Sequence, residues 1–163
     1  MTIATNREHL DNGSSGGCRV RGLARQVLNE GGTTRQLLVS ESGSLCIFNL
    51  GAAQTYVLPI IGANDVGMSF EFSSTVASGT ASYSVDTGSA ANFIGGGVYM
   101  ASTTPNEGDA FPATIASTVS LDMDSAVTGW LAGSYFKMTA ISTTEWAVGG
   151  YCVGVGTMAT PFA

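Results

Sequence analysis

The stretch MSFEFS at residues 68–73 decides the fold class of this chain. Large apolar side chains occupy every second position, which is the period of a β-strand with one buried face. The same alternation recurs at 81–86 and 119–124. Charged residues make up only 11% of the chain and glycine occurs 22 times, a composition that favours short strands and tight turns over long surface helices. The pattern predicts an all-β fold.

The last third of the chain contains the longest strand candidates. Residues 130–141 and 145–155 are both rich in aromatic and β-branched side chains, and only Ser-Thr-Thr separates them. So short a connection predicts an antiparallel hairpin. Strand candidates spaced roughly 10–15 residues apart, without helical patterns between them, are typical of a β-sandwich or jelly roll. We expect such a body over residues 41–163.

Residues 1–40 differ from the rest and predict an extended N-terminal arm. A polar, glycine-rich tract ends at Gly17, and Val20, Leu23, Ala24, Val27 and Leu28 then recur at the one-face spacing of an amphipathic helix. This spacing predicts a short helix over about residues 19–29. Because so short a helix is marginal alone in water, it should form only against another surface.

Charge is distributed unevenly between the predicted arm and body. The first 35 residues hold five arginines and three acids, a net charge of +2, whereas residues 36–163 hold one lysine and nine acids, a net charge of −8. An acidic body argues against nucleic-acid binding, which needs a basic footprint. The N-terminus lacks a signal-peptide pattern, and no apolar run could span a membrane. We therefore expect synthesis in a cytoplasm and no membrane partner.

Candidate catalytic residues are few, and we predict that the chain is not an enzyme. The one histidine, His9, lies in the polar tract, where nothing would hold a general base in place. Asp122 and Asp124 share one face of a predicted strand and could form a glycosidase pair or chelate a cation. The more ordinary interpretation is that they are the solvent side of a strand whose core side carries Leu121 and Met123. We expect no metal and no cofactor.

Aromatic and sulfur-containing side chains allow further interpretations. Trp130, Trp146, Tyr135 and Tyr151 could form a sugar-binding platform, although aromatic side chains in alternating strands more often belong to the core. The cysteines are odd in number, and they share no metal-type spacing; the list is Cys18, Cys46 and Cys152. We expect two small buried hydrophobic residues and one thiol in the arm, rather than a disulfide framework.

Three segments resemble virion proteins of tailed bacteriophages. They are the strand–turn–strand run Tyr56–Phe72, the hairpin Tyr135–Val148 and the terminal Gly156–Ala163, within a resemblance that covers about residues 45–163. The resemblance implies a β-sandwich or jelly-roll domain, often a homotrimer, used as a capsid cement (decoration) protein or as a fibre or spike head. It brings no catalytic residue.

The sequence thus predicts a non-catalytic capsid cement protein on the virion surface. Its partners would be the major capsid protein and further copies of itself. The predicted partner-binding residues all belong to the arm and are Arg19, Arg21, Leu23, Arg25, Val27, Leu28 and Arg35. The basic segment could instead lie on a membrane or pack on its own body. The alternative function is a fibre or spike head that binds host glycan.

Overall fold

The computed structural model describes residues 25–29, 31–77, 82–114 and 117–163, and these form two β-sheets. The strand bounds are β1 Val27–Asn29, β2 Thr34–Gln36, β3 Leu45–Phe48, β4 Gln54–Val57, β5 Ser69–Ser74, β6 Tyr83–Asp86, β7 Phe93–Ser102, β8 Asp109–Pro112, β9 Ser120–Met123, β10 Tyr135–Ala140 and β11 Glu145–Gly154. A single 3₁₀ turn, Val39–Glu41, follows β2. The predicted all-β class is confirmed.

The seven-stranded sheet has the order β1-β3-β5-β10-β11-β7-β8, and the four-stranded sheet has the order β2-β4-β6-β9. The chain crosses from one sheet to the other at each step from β1 to β6. Consecutive strands of one sheet therefore run parallel, as β1, β3 and β5 do in the larger sheet and β2, β4 and β6 in the smaller. Jelly rolls are built from antiparallel strands, so this winding differs from the predicted jelly roll.

The second half of the chain contains the antiparallel pairs. β10 pairs with both β5 and β11, and the register Lys137↔Gly149 places β10 and β11 in the predicted hairpin. That prediction is confirmed. Strand β8 pairs antiparallel with β7 and forms the other edge of the larger sheet. The C-terminal segment runs beside β9, where the Asp122 amide donates to the Pro161 carbonyl at 2.6 Å, and it covers that edge of the smaller sheet.

The core lies between the two sheets and is rich in aromatic rings. Phe48 and Phe72 of the larger sheet face Tyr56 and Tyr83 of the smaller one, and the Phe48 and Tyr83 ring centroids are 4.8 Å apart. All four side chains are fully buried. Both buried tyrosines hydrogen-bond to backbone carbonyls; for example, the Tyr56 hydroxyl donates to Ile47 at 2.9 Å. The polar ends of these rings are thereby satisfied inside the core.

The predicted helix over residues 19–29 is wrong at its C-terminal end, where Val27–Asn29 is strand β1. β1 pairs in parallel with β3, which places Val27 opposite Leu45 on the outer face of the sheet. Leu28 points the other way and is only 4% exposed. Residues 25–29 and 31–40 of the predicted arm thus contribute strands to both sheets. The adjacent apolar residues Val27 and Leu28 fit the spacing of a helix as well as that of a strand. The strand forms here because β1 pairs with β3.

Candidate binding face

The structure describes four of the seven predicted partner-binding residues. Arg19, Arg21 and Leu23 lie outside the described residues. Leu28 belongs to the core, whereas Val27 is 56% exposed on the outer face of the larger sheet. Arg25 and Arg35 both form ion pairs with acids of the body, as the next paragraphs describe. Among the described residues of this set, Val27 is the one that presents a large apolar side chain to solvent.

Arg25 is anchored to the outer face of the seven-stranded sheet. Its guanidinium pairs with the carboxylate of Glu71 on β5, and the same carboxylate accepts a hydrogen bond from the Tyr135 hydroxyl on β10. Partial burial raises the pKa of Glu71, but the hydrogen bonds from Tyr135 and Arg25 outweigh it, so the net pKa lies below its ordinary value. Lys137 lies directly opposite Glu71 on β10, and its positive charge also lowers the pKa of Glu71.

Arg35 makes the second ion pair, at the edge where β2 begins the smaller sheet. Its guanidinium contacts the carboxylate of Glu41, which is itself buried and also accepts the Leu38 amide at 2.9 Å. A buried carboxylate needs such partners, because an uncompensated charge in the interior is costly. Arg35 and Glu41 therefore stabilise this edge of the body.

Three tyrosines lie in one row across the outer face of the seven-stranded sheet. Tyr135 on β10 is paired in register with Tyr151 on β11, which is paired with Tyr99 on β7. Their exposed fractions are 37%, 44% and 51%. The Tyr135 and Tyr151 ring centroids are 6.3 Å apart, and next to them the Cβ position of Gly149 faces open space. We call this row, with Arg25, Glu71 and Lys137, the tyrosine face.

The predicted aromatic platform is divided between the core and this face. Trp146 is fully buried beneath it and stacks at a tilt against Phe70, with 6.2 Å between centroids. Trp130 is half-buried, and its bridge partner is Val153. Neither indole N–H has a hydrogen-bond partner among the described residues. Tyr135 and Tyr151 are the two members of the predicted platform that reach solvent.

Sequence reasoning missed Tyr99, because the Gly-Gly-Gly run at 95–97 obscured the alternation of the strand that carries it. The signal was present nonetheless. Val98 and Met100, its two neighbours in β7, are buried and apolar, so Tyr99 between them had to face outward. Its alignment with Tyr151 could not be predicted, since that depends on the parallel pairing of β7 with β11.

The acidic pair Asp122 and Asp124 lies on the outer side of β9, as the ordinary interpretation predicted. Leu121 and Met123 are fully buried on the opposite side. Asp122 accepts a hydrogen bond from the Ser120 hydroxyl at 2.7 Å, and Asp124 accepts one from Thr128 at 2.8 Å. Partial burial, together with the charge of Asp124, raises the pKa of Asp122. Partial burial and the charge of Asp122 raise the pKa of Asp86 on the neighbouring strand β6.

The two described cysteines are buried in the core. Cys46 on β3 and Cys152 on β11 are both fully buried free thiols, and burial raises the pKa of each to about 12. Because the thiolate is the nucleophilic form, these side chains act as small apolar residues.

Within the described ranges, no cluster of three or more His, Cys, Asp or Glu side chains is placed to hold a metal ion. The described part of the chain also contains no helix of the length and apolarity needed to cross a membrane. A scan against protein-family models, a search of curated proteins and a search of solved structures each gave no match to this chain.

Proposed function

We propose that this chain is a non-catalytic capsid cement protein of a tailed bacteriophage, which binds and stabilises the shell of the major capsid protein. The resemblance of residues 45–163 to phage virion proteins supports this proposal. So does the character of the described surface, whose exposed aromatic side chains gather on one sheet face. Surfaces rich in tyrosine are typical of protein–protein contacts.

The observation that carries the proposal is how the described charged and nucleophilic groups are used. The carboxylates of Glu41 and Glu71 neutralise arginines, and the thiols of Cys46 and Cys152 are buried. Asp122 and Asp124 are held by hydroxyl groups of neighbouring residues. Carboxylates that are paired and thiols that are buried stabilise the folded body, as expected of a structural protein.

Shell contact is assigned to the part of the arm that precedes the body. Of the predicted binding residues, Arg25, Leu28 and Arg35 stabilise the body itself and Val27 lies on the outer face of the larger sheet, which leaves Arg19, Arg21 and Leu23 for this role. These three precede Arg25 in the sequence, and Arg25 is fixed to Glu71 on β5. Guanidinium groups there could pair with acidic groups of the shell.

A truncation before Arg25 tests the proposal. Phage heads that lack the protein are mixed with the full chain or with a variant lacking residues 1–24, and bound protein is measured by co-sedimentation. The full chain should occupy the heads and raise their resistance to heat, and the truncated chain should do neither. The double variant Arg19→Ala/Arg21→Ala should bind at least about tenfold more weakly, through loss of charge-assisted contacts.

Arg7→Ala is the matched control, because it removes one arginine that lies outside the predicted binding set. It should bind the heads like the full chain. Binding of the truncated chain at full occupancy would contradict the role of the arm, and failure of the full chain to bind heads at all would contradict the cement function. A separate count of copies per virion should give a number similar to the number of capsomers in the shell.

A fibre or spike head that binds host glycan is the second candidate, and one observation favours it. On the tyrosine face, Tyr135 contacts Glu71 beside Arg25 and Lys137, and Tyr151 and Tyr99 continue the row on the next two strands, a combination of aromatic and polar groups that can hold a sugar ring and its hydroxyls. A glycan array with the full chain, repeated with Tyr99→Ser/Tyr151→Ser, tests this. Binding that is lost in the variant, together with few copies per virion, would support the fibre head instead.

A further inference from the structure

We propose that the tyrosine face is a self-association surface, through which the outer faces of the seven-stranded sheets of two copies of this chain contact one another. The proposal does not rest on the capsid function and would stand if the chain acted elsewhere. It rests on three properties of the described residues: the side chains that this face exposes, its charge relative to the rest of the body, and its area.

The exposed side chains of this face match those of protein interfaces. Tyr99, Tyr135 and Tyr151 form an aromatic row across three neighbouring strands, and Val27 adds an exposed apolar side chain near Glu71. Tyrosine and arginine are enriched in interfaces, and tyrosine loses little conformational entropy when it is buried. An aromatic surface of this kind can be covered by an identical surface.

Charge makes this face the part of the body where a second copy meets the least repulsion. The described residues hold nine acids and three cations, namely Arg25, Arg35 and Lys137, so most of the body surface would repel another copy. Two of the three cations lie on the tyrosine face, beside its acid Glu71. This face therefore carries a net charge of about +1, a small like charge that contacts between Lys137 of one chain and Glu71 of the other can offset.

The outer face of the smaller sheet is a much poorer surface for a second copy. Asp86 and Asp122 lie there on adjacent strands, and Asp124 follows directly after β9. Burial already raises the pKa of Asp86 and of Asp122, so covering them further would add to the cost of their charges. A contact between the two smaller sheets would also bring six carboxylates of like charge together.

The size of the tyrosine face is sufficient for a stable contact. Its five central strands, β3, β5, β10, β11 and β7, contain 4, 6, 6, 10 and 10 residues, and each residue covers about 16 Å² at ~4.8 Å between strands and ~3.3 Å along a strand. Two such faces bury about 1,000 Å² in total, which reaches the lower bound of about 1,000 Å² for a biological interface. Side chains that protrude from the sheet increase the buried area further.

Sedimentation equilibrium of the full chain, from low micromolar to about a hundred micromolar, tests the proposal. The unaltered chain should form a defined assembly, and Tyr99→Ser/Tyr151→Ser should weaken its association at least about tenfold, as expected when aromatic residues at the centre of an interface are removed. Lys137→Glu should weaken it by a similar factor, because it places a like charge beside Glu71. Circular dichroism verifies that each variant is folded.

Asp86→Asn/Asp122→Asn is the matched control on the opposite face, and its association should equal or exceed that of the unaltered chain, since it removes two negative charges. A monomeric chain at the highest concentration would overturn the proposal. So would an assembly that both tyrosine-face variants leave intact, or one that the Asp86→Asn/Asp122→Asn variant disrupts. If the monomer binds a glycan through the same tyrosines, the face belongs to that ligand and the proposal is wrong.

Discussion

At the scale of single residues, two adjacent glycines of β11 have opposite requirements. Gly150 has φ +151°, and a Cβ there would overlap the backbone of Phe136 and the carbonyl oxygen of Tyr135. Gly149 has open space at the same position. The sequence shows only a Gly-Gly pair, whereas the pairing of β11 with β10 decides which of the two cannot be replaced.

Gly150→Ala should lower the free energy of unfolding by about 3 kcal/mol, because it combines backbone strain with an overlap against β10. Gly149→Ala should be nearly neutral, since its methyl group meets no atom and alanine restricts the unfolded chain. Urea unfolding of the two variants measures the difference. Equal unfolding midpoints for the two variants would mean that the packing of β11 against β10 is not as described.

Glu71 gives the second prediction at this scale. Its folded pKa lies below the ordinary value of 4.5, so its stabilising contribution is present above the unfolded pKa and is lost as the pH falls through the folded pKa. Glu71→Gln should therefore be less stable than the unaltered chain near neutral pH, by at most about 1 kcal/mol for so exposed a pair. The difference should shrink to nothing well below pH 4.5.

Chemical unfolding from acidic to neutral pH measures this difference. Tyr135→Phe serves as a comparison, because it removes one hydrogen bond to the carboxylate and leaves the Arg25 pair. Loss of that hydrogen bond should raise the pKa of Glu71, which an NMR titration of the side chain can follow. A stability difference for Glu71→Gln that is the same at every pH would contradict the assignment.

At the scale of elements, strand β1 replaces the C-terminal end of a helix that the sequence predicts. An amphipathic helix would place Val27 and Leu28 on the same buried stripe, whereas the strand buries Leu28 and exposes Val27. The local pattern contains both possibilities, because two neighbouring apolar residues fit either period. Only the presence of β3 as a partner decides in favour of the strand.

Leu28→Ala should lower the free energy of unfolding by about 2–4 kcal/mol, as other large-to-small changes in protein cores do. Val27→Ala should change it by less than about 0.5 kcal/mol in the separated chain, because the side chain is already exposed. Thermal or urea unfolding of the two variants at low concentration makes the comparison. If Leu28→Ala and Val27→Ala lowered the free energy of unfolding by similar amounts, the result would favour a helix at these residues.

At the scale of the whole molecule, the two sheets enclose both described thiols. Cys46 and Cys152 come from opposite ends of the described chain, yet both are fully buried in one core. Their reactivity therefore reports on the integrity of the entire sandwich rather than on one strand.

In a Cys18→Ser background, neither thiol should react with a disulfide reagent near neutral pH in native buffer, because burial raises both pKa values to about 12 and excludes the reagent. In denaturant, two thiols per chain should react. The native reaction rate should increase with temperature in parallel with unfolding measured by circular dichroism. Rapid labelling of either cysteine in the folded protein would show that its part of the core opens independently.

The sequence by itself determined the fold class, the final hairpin and the buried faces of β5, β6 and β9, because strand alternation is a local property that burial of one face imposes. It also showed the excess of acid in the body and the outward position of Asp122. The tertiary structure alone decided which strands are neighbours. Parallel pairing of β1, β3 and β5 depends on crossings between the sheets, and the tyrosine face exists because distant segments align in register. No local pattern carries that information, since register is set by contacts between residues far apart in the chain.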